Sequence, residues 1–141
     1  MKKAILLLTL LLCVCTFTFA QEISVPQAAI SAFNTKFPYA EEVKWDKENS
    51  SEYEANFTLD GLDMSAVFSE NGTWKETETS IGIDQLPQAV LDAIKLNYSK
   101  GKLFGASKII RADDTTIYEA DIKVKSKKKE VLFDENGNIV K

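Results

Sequence analysis

The chain has 141 residues, a formal net charge of −4, two cysteines and no histidine. The missing histidines remove Ser-His and Cys-His catalysis and histidine-bound zinc, and the acidic balance argues against nucleic acid or an anionic membrane as a general partner.

Met1, Lys2 and Lys3 precede an apolar run from Ala4 through Val14, and Thr18, Phe19 and Ala20 follow. These are the charged, apolar and small-residue sections of a secretory signal. Residues 1–20 are therefore expected to be a cleaved signal peptide, with residues 21–141 forming a single domain of net charge −6. The apolar run is shorter than the roughly 20 residues a bilayer core needs. Leu12 and Val14 stand where a lipoprotein signal wants a small residue, which argues against lipid attachment at Cys13 or Cys15. Both cysteines leave with the signal, so the remainder has no disulfide and no thiolate nucleophile. The expected location is the periplasm or the exterior of a bacterial cell.

An internal repeat organises the remainder. Val25-Pro26-Gln27-Ala28 returns as Leu86-Pro87-Gln88-Ala89 at an offset of 61, whereas Tyr53-Glu54-Ala55 returns as Tyr118-Glu119-Ala120 at 65. Phe68-Ser69-Glu70-Asn71-Gly72 returns as Phe133-Asp134-Glu135-Asn136-Gly137, also at 65, which places an insertion near Ser99 to Lys102. The copies are expected over about residues 24–80 and 85–141.

Each copy opens with a helix that has proline in its first turn and Ser24 or Asp84 upstream as a cap. Ile30, Phe33 and Phe37 share one face, as do Leu91, Ile94 and Tyr98, at amphipathic spacing. Pro38 is expected to end the first helix and Gly101 the second. A short strand around Val43 to Trp45, matched by Lys108 to Ile110, comes next. An Asp60-Gly61 hairpin turn then pairs Tyr53 with Phe68, Ala55 with Ala66, Phe57 with Met64 and Leu59 with Leu62 on an apolar face. A three-residue loop Glu70-Asn71-Gly72 pairs Phe68 with Trp74, and its counterpart pairs Phe133 with Ile139. The fold class is α+β: two tandem helix-plus-antiparallel-sheet repeats, αββββ twice, forming a continuous sheet with both helices on one face.

The Leu-Pro-Gln-Ala helix start, the strand ending near Trp45, the Tyr-Glu-Ala strand and the Phe-Asp-Glu-Asn-Gly turn together resemble the PepSY-like family of exported bacterial proteins. The resemblance implies a fold similar to beta-lactamase inhibitor protein, with two tandem units making a concave sheet surface. Its motifs are folding signals rather than active-site signatures, and no inhibitory loop is matched.

Short motifs with chemical meaning have plainer explanations. Ser99-Lys100-Gly101-Lys102 matches the Ser-x-x-Lys of penicillin-recognising enzymes, yet its companion Lys-Thr-Gly is missing. Asp134-Glu135-Asn136-Gly137-Asn138 has the look of a calcium loop, but its glycine is misplaced and no closing glutamate follows. Asp113-Asp114 and Glu76 with Glu78 read as solvated acids, and no metal or other cofactor is expected. Asn-x-Ser/Thr matches such as Asn56 and Asn71 read as accidental.

On the open sheet face the candidate binding residues are Glu54, Asn56, Val67, Glu119, Asp121 and Leu132. Val67 and Leu132 hold matching places in the two copies, which makes them candidate apolar anchors. Glu54, Glu119, Asp121 and Glu130 are also weighed as catalytic carboxylates, though nothing in the sequence sets their spacing. Lys123, Lys125, Lys127, Lys128 and Lys129 cluster at the second hairpin turn, where they discourage edge pairing or dock an acidic partner or lipid head groups. The resulting reading is an exported noncatalytic binding module, protein- or peptide-binding or inhibitor-like, whose partner is an exported or envelope protein or peptide. The alternatives are a small-ligand-binding periplasmic protein and, less favoured, a carboxylate-based enzyme.

Overall fold

The computed structural model describes residues 23–140, and the expected signal peptide, residues 1–20, lies outside the described residues. Helix α1 spans Gln27–Lys36 and helix α2 Gln88–Asn97. Pro26 and Pro87 stand one place before each helix rather than inside its first turn, with extended ψ of 137° and 143°. Their carbonyls accept the first helical bonds, from the N–H groups of Ile30 at 3.2 Å and Leu91 at 3.1 Å. Proline presets the entry angle, and neither helix has a side-chain cap, so Ser24 and Asp84 do not fill that role. Asp84 sits instead in a 3-10 turn, Ile83–Gln85. Nor does Gly101 stop α2. The Tyr98 N–H closes that helix on the Ile94 carbonyl at 2.8 Å, and Gly101 already belongs to the next strand, where a Cβ would come within 2.6 Å of Ile122 Cγ2.

Seven strands follow one another in a single sheet in chain order, each antiparallel to the next: β1 Glu41–Lys47, β2 Glu52–Leu59, β3 Leu62–Ser69, β4 Trp74–Ser80, β5 Gly101–Arg111, β6 Thr116–Val124 and β7 Lys127–Phe133. The β2–β3 pairs are those the Asp60-Gly61 turn predicts, from Tyr53 opposite Phe68 to Leu59 opposite Leu62. Phe68 faces Trp74 across the three-residue loop, with Gly72 at φ +85°. Gly137 repeats that geometry at φ +81°, and Phe133 bridges to Ile139.

Two expectations about the second half of the sheet also need correction. No fourth strand forms in the second half among the described residues: Ile139 remains 52% exposed, so continued pairing there has no apolar burial to drive it. Nor does the insertion lie near Ser99 to Lys102. Trp45 stands opposite Ala55, and Ala106, 61 positions later in the chain, stands opposite Ala120. The offset of 61 thus also relates Trp45 to Ala106, and the four positions that separate it from the offset of 65 fall between Ala106 and Ala120, within the β5–β6 hairpin rather than before β5. Register irregularities at Glu41/Lys44 and Leu103/Gly105 fall at corresponding places.

Both helices pack on the same sheet face. Under α1, Phe33 is ringed by Phe37, Trp45, Phe57 and Phe68 with centroids 5.1–6.1 Å away, mostly edge to face. Trp74 closes this cluster, and the Lys36 ammonium sits 3.7 Å above its ring. Tyr53 is buried but lies outside the cluster. Under α2 the core is mainly aliphatic: Leu86, Val90, Ile94, Ile122 and Val131 around Phe133. The fully buried helix positions are Ala29 with Phe33 and Val90 with Ile94. Phe33, Phe37 and Ile94 lie in the core as expected and Tyr98 packs against it, while Ala29 and Val90 take the deepest places ahead of the half-buried Ile30 and Leu91.

Candidate functional site

Strand alternation that sends Phe57, Phe68 and Ile122 toward the helices sends the intervening residues to the opposite face, which no described element covers. The register lays these residues in rows. Glu54, Val67, Glu76 and Arg111 form one; Asn56, Ser65, Glu78, Ile109 and Ile117 form the next. Ser80, Ser107, Glu119 and Leu132 follow, then Gly105, Asp121 and Glu130. The six predicted site residues therefore share one face, with Glu54 and Asn56 on β2, Val67 on β3, Glu119 and Asp121 on β6, and Leu132 on β7.

This face has a dry floor. Val67, expected as an exposed anchor, is 9% exposed, Ile109 4% and Ile117 1%, while Leu132 is half-buried. Their place on this face and their low exposure make them its apolar floor. Val67 is thus floor rather than protruding contact. Ile109 and Ile117 were not among the predicted residues. Ile117 stands two places before Glu119, so strand parity alone would have found it; Ile109 is paired in sequence with apolar Ile110, which hides its direction.

Over that floor the charge is one-sided. Asn56 Nδ2 donates to Asp46 Oδ2 and Glu54 Oε2, both at 3.3 Å. Among the described residues the ion pairs touching this face are Arg111 Nε to Glu76 Oε2 at 3.0 Å and Lys75 to Glu52 at 3.9 Å. Glu119 has no cation in its row. Burial first, then the charges of Glu78, Glu130, Asp121 and Glu76, push its carboxyl up to about 7. Glu78 is also raised, by burial and by Glu54, Glu76 and Asp121, against partial relief from the Ser107 side chain. The Asp121 side chain lies over Gly105, where a Cβ would displace its carboxylate.

Between Glu54, Asn56, Asp63, Ser65, Glu78 and Ser80 lies a shallow depression of about 180 Å³, below the roughly 300–1,000 Å³ usual for small-molecule sites. The Ser-x-x-Lys match does not form a catalytic pair on one helix: Ser99 lies in the helix–strand turn and Lys102 in β5. In the calcium-like segment, Asp134 Oδ1 accepts the N–H groups of Asn136 at 2.9 Å and Asn138 at 2.8 Å, and Oδ2 accepts the Asn138 side chain at 2.8 Å. Those donors hold its carboxyl below the usual range, so Asp134 ties a turn together. Among the described residues no group of three or more acids could hold a metal ion.

A family model described as beta-lactamase-inhibitor-like and PepSY-like matches residues 51–141. The chain is similar to a DUF2874 family protein from Bacteroides uniformis, with 24% identity, a TM-score of 0.73, and 84% of this chain and 88% of that one covered. A Bacteroides eggerthii protein, provisionally described as periplasmic, gives 20% identity, a TM-score of 0.74 and the same coverage, 84% and 88%. A BLIP-like protein from Bacteroides fragilis gives 25% identity and a TM-score of 0.68, with 86% of each chain covered. No curated protein matches. Among the described residues no helix is long and apolar enough to cross a membrane.

Proposed function

The chain belongs to the PepSY-like, beta-lactamase-inhibitor-like family, and from that membership we propose that it is an exported, noncatalytic module that grips a basic segment of a protein or peptide on its open sheet face. The observation that carries this reading is the set of carboxylates lying close together on that face, where burial first, and then the charges of Glu78, Glu130, Asp121 and Glu76, hold Glu119 at about 7. Carboxylates that repel one another in the free protein are relieved by a lysine or arginine laid across them, whose methylene stem covers the aliphatic floor. Export is supported by the charged, apolar and small-residue order of residues 1–20 and by the provisional periplasmic description of one structural relative. We take the two halves to be copies of one unit, a reading supported by the offset of 61 shared by the helices and the register irregularities.

A small-ligand role is disfavoured by the shallowness of the depression. An enzymatic reading has Glu119 in its favour, since a carboxyl titrating near neutrality suits general acid work; Ser107 stands opposite it, but that row holds no lysine to activate the hydroxyl. The test is affinity capture from an envelope extract with the parent protein and with an E78K/E119K variant. A partner held by the parent and lost by the folded variant is expected. Equal capture by both would overturn the open-face assignment.

A further inference from the structure

The face that is acidic at its centre is basic at one end. Lys102, Lys123 and Lys128 stand directly opposite one another on β5, β6 and β7, all exposed. Adjacent strands lie about 4.8 Å apart, and like charges placed opposite each other across strands destabilise a sheet. Lysines on an exposed edge strand deter edge-to-edge pairing. That explains the run Lys127–Lys129 on β7, the last strand of the sheet. It does not explain Lys102 and Lys123, which lie on the two strands inside it.

Beside this row the β5 irregularity between Leu103 and Gly105 brings out Phe104, which is 41% exposed. The Lys128 ammonium lies 5.2 Å from its ring centroid. Lys102, Phe104, Lys123 and Lys128 surround a surface hollow of about 280 Å³. Lys125 in the β6–β7 turn and Lys127 at the start of β7 continue the charge, and Lys100 flanks the start of β5. An exposed aromatic ring encircled by ammonium groups at the projecting end of a sheet combines charge with an apolar wedge, the pairing that interfacial anchors use.

We propose that this lysine-row end, centred on Phe104, docks on an anionic lipid surface, with Lys102, Lys123 and Lys128 meeting the head groups and Phe104 entering between them. The assignment does not depend on the acidic region of the same face. An acidic protein segment would satisfy the lysines but leave the ring without a role, whereas a bilayer surface uses both. The repulsion built into the row is then relieved on docking.

The test is vesicle sedimentation of the purified protein, using phosphatidylcholine alone and phosphatidylcholine mixed with phosphatidylglycerol. Binding to the mixed vesicles, weakening as salt rises, is expected. At about fivefold per lysine, K102Q/K123Q/K128Q lowers the partition roughly a hundredfold, and F104S lowers it with every charge in place. Because the triple variant removes like charges from one row, it should unfold at the same or a higher temperature, which separates lost docking from lost fold. Equal binding to the two vesicle types, or undiminished binding by a folded triple variant, would overturn the proposal. So would capture of polyglutamate without binding to mixed vesicles, which would assign the patch to an acidic protein. Inorganic phosphate alone changing the Phe104 environment, with no vesicle binding, would assign it to a small anion.

Discussion

Gly72 couples a hairpin turn to a helix, and replacing it should cost more than its backbone angle requires. At φ +85° a Cβ would lie 2.7 Å from the Ala28 carbonyl oxygen and 3.1 Å from its carbon. The left-handed conformation alone costs a non-glycine residue about 1–2 kcal/mol. Here the Cβ also meets helix backbone, and forcing extra volume into a packed site costs about 1–3 kcal/mol more. Gly61 is the internal control: its φ is +78°, but nothing lies within 4 Å of a built Cβ. Both substitutions gain the same small stabilisation from a less flexible unfolded chain, so it cancels in the comparison. In a domain of this size 1 kcal/mol moves Tm by about 4 °C. Gly61→Ala should therefore lower Tm by about 4–8 °C, and Gly72→Ala by about 8–20 °C. Thermal unfolding followed by circular dichroism, with urea titration for the free energies, measures both. Equal losses would refute the packing of this turn against α1, and unchanged melting at both positions would refute the turn geometry itself.

The remaining predictions concern the floor, the acids and the junction. Ile117→Ala should destabilise by about 2–5 kcal/mol, like a core truncation, in urea unfolding; a loss under 1 kcal/mol would mean that the open face has no packed floor. Glu119 titrates in the native state at about 7 against 4.5 when unexposed to that environment. The native state therefore holds the extra proton between those values, and stability is fullest below about 4.5 and falls as pH rises through 7. Glu119→Gln should raise Tm at pH 8 and leave it nearly unchanged at pH 4.5; an equal gain at both would dismiss the titration. Thr77→Val should cost about 1–3 kcal/mol, because the Trp74 Nε1–H donates to the Thr77 hydroxyl at 2.9 Å, and an unchanged urea midpoint would show that bond to be dispensable.

Alternation made most of the first sheet half legible. Tyr53, Ala55, Phe57 and Leu59 sit opposite Phe68, Ala66, Met64 and Leu62, because a two-residue turn admits one register that buries them all. The glycine turn at Gly72 was readable for the same reason, since a two-residue loop would have sent Trp74 outward. What alternation could not read was anything fixed by neighbours far away in the chain. Lys108 to Ile110 looked equivalent to Val43 to Trp45 by sequence offset, yet it is Ala106, not Ile110, that pairs with Ala120 as Trp45 pairs with Ala55. β5 runs from Gly101 to Arg111, because β4 pairs along its other edge. The helix caps were misread because proline at the N-cap dispensed with a polar side chain. The acids of the candidate site were visible as a pattern, but not that Val67, Ile109 and Ile117 would lie dry beneath them. Val67 stands between Glu54 and Glu76, and Ile109 between Glu78 and Ile117, an adjacency written only in the folded register.

The claim that matters most is that a partner lies across the acidic open face, and cysteine footprinting tests it directly. The described chain contains no cysteine, since Cys13 and Cys15 precede it, so single cysteines can be placed at Asn56, Ser65 and Ser80, with Asp92 on the outer side of α2 as reference. Thiol labelling would be timed for the protein alone and for its complex with the captured partner. The account predicts strong slowing at the three sheet positions and none at Asp92; slowing at Asp92 with the sheet positions labelled at their free rate would contradict it.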